Sequence, residues 1–158
     1  MSLYNNNISF SEKWMNEIKS ILRNNAMHII DIEIAMPEED MKQSTDLKIK
    51  ITSGDVAVRV RRRAAGFRDL TIRAFSNGNE TEIHKLRAGF ARWYVYAWEG
   101  DGSLVDWILV DLNMMRRAGL LSENRPITKN KDGRTGFVSY SISELKMAGA
   151  LVARKVAR

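Results

Sequence analysis

An alternation of arginine with apolar residues constrains this chain more than any other feature. Residues 58–73 carry six arginines against one acid, in the stretch VRVRRRAAGFRDLTIR. Val58 and Val60 fall on one side of a period-of-two pattern, with Arg59 and Arg61 on the other. Because successive side chains of a strand point to opposite faces, the pattern predicts a strand with one apolar and one cationic face.

The neighbouring segments predict a three-stranded antiparallel meander over residues 46–75. DLKIKI at 46–51 alternates in the same way, and the Ser-Gly-Asp that follows at 53–55 has the composition of a hairpin turn. LTIRAF at 70–75 repeats the alternation and adds Arg73. Two adjacent strands would then present planar guanidinium groups, which match phosphate or carboxylate oxygens, from one sheet face. The alternative is a solvated face whose arginines pair with nearby acids.

The remaining patterns predict a single α+β domain over residues 11–158, built on one mixed sheet flanked by helices. Residues 1–10 are polar and rich in asparagine, and we expect them to be disordered. Helices are expected from Ser11, from Thr81, from a cap at Asp111 or Asn113, and after Ser143. Further strands are expected in HIIDIEIA (28–35), WYVYAW (93–98), LVDWILVDL (104–112) and GFVSYSI (136–142).

Charge and composition narrow the class of partner. The chain has 158 residues, a formal net charge of +6 and no cysteine. The positive charge favours polyanions, and above all nucleic acid. The absence of cysteine excludes disulfides and thiolate metal sites and fits a cytoplasmic protein. No apolar run approaches the roughly 18 residues of a membrane helix, so no membrane partner is expected.

A group of acids near the cationic strand suits metal-dependent phosphodiester chemistry. Asp46 stands just before the hairpin whose return strand carries Arg59 and Arg61, and an acidic segment that includes Glu39 precedes it. Carboxylates can hold a divalent ion that activates water, while a cation neutralises the developing charge. The alternative is a set of arginine–carboxylate pairs or a solvated acidic loop.

Two further features have both a functional and a structural interpretation. Glu82 and Lys85 stand three residues apart on one predicted helix, where they can flank a groove or form a surface pair. The aromatic run WYVYAW offers stacking surfaces or an interface for a homo-oligomer. Its apolar surroundings favour a buried core strand instead.

Five segments resemble a family of uncharacterised bacteriophage and prophage proteins. That family shows an acidic EED segment, a TD pair, a VRxRR strand, an FTIR strand, a TE-x-x-K helix and a W-x-L-x-DL ending. The corresponding segments here are MPEEDMKQSTDL (36–47), VAVRVRR (56–62), LTIR (70–73), TEIHKLRAGFARWYVY (81–96) and WILVDLNMMRR (107–117). The resemblance implies a phage or prophage protein in a bacterial cytoplasm.

The organisation also resembles the PD-(D/E)XK nuclease core, as in archaeal Holliday junction resolvases. That core runs helix, three-stranded meander, helix, strand. The resemblance places its first carboxylate on Asp46, after Thr45 where the family has proline, and its second motif near residues 59–61, where the acid is absent. Either the second carboxylate has moved, with Glu82 or Glu39 as the nearest candidates, or the domain is a non-catalytic binder.

These observations together predict a phage-type nucleic-acid-processing protein on a restriction-endonuclease-like α+β fold. If it is an enzyme, Asp46 with Glu39 or Glu82 would hold Mg²⁺ or Mn²⁺, and Lys85 or Arg61 would stabilise charge. The residues expected to contact nucleic acid, with DNA the favoured form, are Arg59, Arg61, Arg62, Arg63 and Arg73. The alternative is a non-catalytic domain that uses the arginine face to bind nucleic acid or another protein.

Overall fold

The computed structural model describes residues 3–25, 27, 29–34, 47–51, 53–62, 69–77, 79 and 81–156. The helices in these ranges are α1 Leu3–Asn24, α2 Glu82–Arg87, α3 Leu112–Arg117 and α4 Ile142–Met147. The strands are β1 Ile29–Ile34, β2 Leu47–Ile51, β3 Gly54–Arg62, β4 Leu70–Ser76, β5 Trp93–Gly100, β6 Ser103–Asp111, β7 Thr128–Lys129, β8 Thr135–Tyr140 and β9 Leu151–Lys155. The predicted α+β class is confirmed.

The strands form two sheets, so the prediction of a single mixed sheet is wrong. The large sheet has the order β1-β2-β3-β5-β6-β9, and the small sheet has the order β4-β8-β7. Strands β3 and β5 pair in parallel, and the other neighbours pair antiparallel. A parallel pair needs a long crossover connection, and here that connection contains β4 and α2. Strand β4 therefore lies in a second layer and does not extend the predicted meander.

The hairpin that opens the meander is confirmed. Strands β2 and β3 pair antiparallel from Ile51↔Gly54 to Leu47↔Val58, and residues 54–62 are strand throughout. Gly54 has φ of 136°, and a Cβ there would lie 2.9 Å from the Cβ of Arg92. Both the backbone angle and the close approach require glycine at this turn.

Two apolar cores cover the two faces of the large sheet. Helix α1 buries Trp14 and Ile18 against one face, where Val58 and Val60 of β3 also point. The opposite face carries Tyr94, Tyr96 and Trp98 of β5 and is covered by the small sheet and the short helices. A strand that is buried on both faces needs a nearly continuous apolar sequence. This explains the run WYVYAW and confirms that it is a core strand.

The three short helices α2, α3 and α4 each begin directly after a capping residue. Thr81 caps α2, and Asp111 caps α3 by accepting from the backbone amides of Asn113 at 2.8 Å and Met114 at 3.2 Å. Helix α4 is capped by Ser141, whose hydroxyl accepts from the amide of Glu144 at 3.2 Å, rather than by Ser143.

The two ends of the chain differ from expectation. Helix α1 begins at Leu3, upstream of the helix start predicted at Ser11. The predicted terminal helix stops at Met147, where Gly149 adopts φ of 67°, and the chain continues as β9. Strand β9 pairs with β6 at the edge of the large sheet. The prediction that the terminal helix continues beyond residue 147 is therefore wrong.

Candidate functional site

A buried ion pair joins β3 to α2 in the core between the large sheet and the small sheet. Arg59 is 8% exposed, and its Nη1 donates to Oε2 of Glu82 at 2.9 Å. Glu82 is the first residue of α2 and is 2% exposed. It also accepts from the Tyr94 hydroxyl and, at 3.3 Å, from the backbone amide of Arg73. The face of β3 that carries Arg59 is therefore covered by protein at that residue, whereas Arg61, two residues further along the strand, is exposed.

The surroundings of Glu82 act on its pKa in opposite directions. Burial raises the pKa of Glu82, and the Arg59 guanidinium and the hydrogen bonds from Tyr94 and Arg73 act against that rise. The pKa of the Tyr94 hydroxyl lies well above its ordinary value, because it is buried and faces the Glu82 carboxylate. Tyr94 thus remains a hydrogen-bond donor, and Glu82 is engaged by three donors at once.

Helix α2 is held in place by an arginine of α3. Arg116 donates from Nε to the carbonyl oxygen of Leu86 at 2.7 Å, and from Nη2 to those of Phe90 and Ala91 at 2.8 Å. These are the carbonyl groups at and beyond the C-terminal end of α2, which lack partners within the helix. Arg116 thus anchors the C-terminal end of the helix whose first residue is Glu82.

A cleft of about 500 Å³ opens between the two sheets above the ion pair. The large sheet contributes Arg59 and Arg61 from β3 and Tyr96 and Trp98 from β5, and these residues are paired in register as Arg59↔Tyr96 and Arg61↔Trp98. Parallel pairing of β3 with β5 therefore places each of these arginines beside an aromatic residue.

The small sheet supplies the opposite wall. Thr71 and Arg73 of β4 line the cleft together with Asp69 at its start, and Phe137 and Ser139 come from β8. The Thr71 hydroxyl lies 2.7 Å from the Tyr96 hydroxyl, so a hydrogen bond connects the two walls. The cleft is a feature of sheet packing and not of one sheet face.

The structure brings four of the predicted nucleic-acid-binding arginines into this cleft: Arg59, Arg61, Arg62 and Arg73. Arg62 is at the rim, with its side chain 95% exposed and its Nε 3.8 Å from Glu99, a surface pair of little energetic weight. Arg61 is exposed, and no carboxylate of the described residues pairs with it. Arg73 reaches the cleft from the facing sheet and not, as expected, from a strand adjacent to β3.

Of the residues predicted for metal binding and catalysis, the structure describes Glu82, Lys85 and Arg61. Asp46, Glu39 and Arg63 lie outside the described residues. Glu82 is held by the ion pair, and Lys85 is a half-buried residue of α2 that does not line the cleft. Within the described ranges, no group of three or more His, Cys, Asp or Glu residues could hold a metal ion.

Sequence reasoning missed the small-sheet wall of the cleft. Asp69, Thr71 and Arg73 share one face of β4 because they alternate with the buried Leu70 and Ile72. That parity was readable from the sequence, but the identity of the facing strand was not. Trp98, assigned to the core, is buried and also forms part of the cleft wall.

Comparison with known proteins adds no relative. No protein-family model, no curated protein and no solved structure matches the chain. In the described part of the chain, no helix is long and apolar enough to cross a membrane.

Breaking the buried ion pair between Arg59 and Glu82 should destabilise the fold. Arg59→Ala removes the cation that is hydrogen-bonded to the buried Glu82, and we expect a loss of about 3–5 kcal/mol in the free energy of unfolding. Arg61→Ala, a neighbouring arginine on the same strand face but exposed, should change it by less than about 0.5 kcal/mol. Urea unfolding of both variants measures the difference. Equal stability of the two would show that the pair contributes little.

Proposed function

We propose that this chain binds nucleic acid and that the arginines of the cleft other than the buried Arg59 contact its phosphates. The convergence of four arginines from two sheets on one cleft supports this most directly. Within the described residues a single carboxylate, Asp69, lines the same cleft. Guanidinium groups bind phosphate oxygens in pairs, and the net charge of +6 adds long-range attraction for a polyanion.

The aromatic side chains of the cleft favour nucleic acid over other anions. Tyr96, Trp98 and Phe137 line it together with the arginines. Proteins that bind nucleic-acid strands combine a cationic groove with aromatic rings on which bases stack. Tyr96 and Trp98 are only 2% and 6% exposed, so among these three rings the half-buried Phe137 offers the most surface for stacking. An acidic protein surface would use the arginines but would gain little from such a ring.

The roles of the arginines divide by burial. Arg59 is bound to Glu82 and shapes the inner end of the cleft, so its removal is a test of folding. Arg61 and Arg62 are exposed and can reach a phosphate without breaking the core. Binding experiments should therefore use Arg61 and not Arg59.

Arg61→Ala should weaken binding to nucleic acid of any sequence and flatten its salt dependence. Each lost phosphate contact removes about 0.7 to 0.9 from the slope of log K against log salt, because fewer counterions are released. The measurement is fluorescence anisotropy of a labelled oligonucleotide over a salt series.

Arg117→Ala is the matched control, since Arg117 is an exposed arginine of α3 that does not line the cleft. This variant lowers the net charge by the same amount as Arg61→Ala. It should therefore reproduce only the small loss of affinity that comes from the change in net charge. If Arg117→Ala and Arg61→Ala weaken binding to the same extent, the cleft is not the binding site.

Metal-dependent cleavage is the second candidate function, and one observation favours it. Leu47, the residue after Asp46, pairs with Val58, the residue before Arg59, in the β2–β3 register. Asp46 is thus attached to the strand next to the one that carries the cleft arginines. The restriction-endonuclease-like organisation, the role of Asp46 and Glu39 as ligands for Mg²⁺ or Mn²⁺, and a cytoplasmic phage origin stay predictions.

Asp46→Asn should abolish any nuclease activity while leaving nucleic-acid binding in place. Asn preserves the side-chain volume but removes the negative charge that holds a hard cation. The assay is cleavage of labelled single strands, duplexes and branched junctions with Mg²⁺ or Mn²⁺ added. Binding without metal-dependent cutting in the unmodified protein would support the non-catalytic function, and activity that survives in Asp46→Asn would place the site elsewhere.

A further inference from the structure

We propose that the cleft takes one nucleotide of a single strand and that Asp69 reads its base by accepting a hydrogen bond from an exocyclic amino group. This inference rests on the proposed function, since it requires that nucleic acid enters the cleft. It goes further by naming the form of nucleic acid, the residue that discriminates among bases and the bases that residue prefers.

The dimensions and the floor of the cleft favour a single strand. Its volume of about 500 Å³ falls in the range of small-ligand pockets and suits one nucleotide. Arg59, one of the residues that line the cleft, is held against the core by its buried pair with Glu82. A duplex keeps its bases stacked and exposes only their edges in the grooves, so it cannot insert a whole nucleotide into such an opening. An unpaired nucleotide can enter with both its phosphate and its base.

The two walls differ in chemistry. On the large-sheet side the charged groups are the arginines of β3, among them Arg61. The small-sheet side carries Asp69, Thr71 and Ser139, with Arg73 as its cation. A nucleotide has a matching asymmetry, because its phosphate is anionic and its base carries neutral donors and acceptors. The β3 side therefore suits the phosphate, and the Asp69 side suits the base.

Asp69 is exposed and oriented, and it is available to a ligand. Its Oδ2 accepts from the Ser139 hydroxyl at 3.1 Å, and no ion pair joins it to a described arginine. A carboxylate in this position repels phosphate, so it lowers general affinity for a polyanion. It gains a favourable interaction only from a ligand that donates, and carboxylates accept from the cytosine amino group.

The expected consequence is discrimination between two pyrimidines of similar size. Cytosine offers an amino group where thymine offers a carbonyl oxygen, which the Asp69 carboxylate repels. Oligo(dC) should therefore bind more tightly than oligo(dT), by about 5-fold at the lower end of the usual range for a base contact. Stacking on the aromatic wall is sequence-tolerant and should contribute equally to both.

The test compares labelled oligo(dC) and oligo(dT) of about eight nucleotides, a length typical of single-strand sites, at mildly alkaline pH where cytosine is unprotonated. In Asp69→Ala, affinity for oligo(dC) should fall, because the cytosine amino group loses its carboxylate acceptor. Affinity for oligo(dT) should rise, because the carboxylate that repels the thymine carbonyl oxygen is gone. Ser139→Ala keeps the charge but loses the orienting hydroxyl, so the preference for oligo(dC) should shrink while oligo(dT) affinity holds. Glu123→Ala, an exposed carboxylate outside the cleft, should change both affinities alike.

Two results would overturn this inference while leaving the proposed function intact. One is equal affinity of the unmodified protein for the two oligomers, and the other is a dC preference that persists in Asp69→Ala. Tighter binding of duplex than of either single strand would overturn the assignment of a single-stranded ligand. Failure to bind any oligonucleotide at low salt would instead reject the proposed function itself.

Discussion

The buried contact between Arg59 and Glu82 is the interaction on which the rest of this structure depends. It joins β3 to the start of α2, and Tyr94 of β5 and the backbone of β4 bind the same carboxylate. One acidic side chain thus connects elements of both sheets and a helix. A buried carboxylate is costly unless its oxygens are bound by donors, so the core around Glu82 is stable only with these elements in place together.

The same contact sets the geometry of the cleft. Glu82 holds Arg59 against the core, whereas Arg61, two residues further along the same face of β3, is exposed. Parallel pairing with β5 then places Tyr96 beside Arg59 and Trp98 beside Arg61. A cationic strand by itself would be a solvated surface. Covered by a second sheet, it becomes one wall of a cavity with aromatic and hydrogen-bonding groups.

Local patterns predicted the local structure well. Alternation gave β3 and its hairpin with β2, and the caps at Thr81 and Asp111 gave two helix starts, because each of these depends on residues a few positions apart. The assignment of β4 to the same sheet failed for a physical reason. Alternation reports which side of a strand is apolar, and it carries no information about which strand pairs with it. The pairing of Arg59 with Glu82 could not be predicted either, because the two residues are 23 positions apart in sequence. The sequence indicated Glu82 only as one member of a helical pair with Lys85.

Photo-crosslinking tests most directly whether nucleic acid occupies the cleft. A single strand substituted with iodocytosine, which keeps the amino group expected to face Asp69, forms covalent bonds to nearby aromatic side chains when irradiated, and mass spectrometry of the digested protein locates them. Occupancy of the cleft predicts cross-links at Phe137 or Trp98, which line it. Cross-links confined to Trp93 and Trp107, which are half-buried residues outside the cleft, would contradict it.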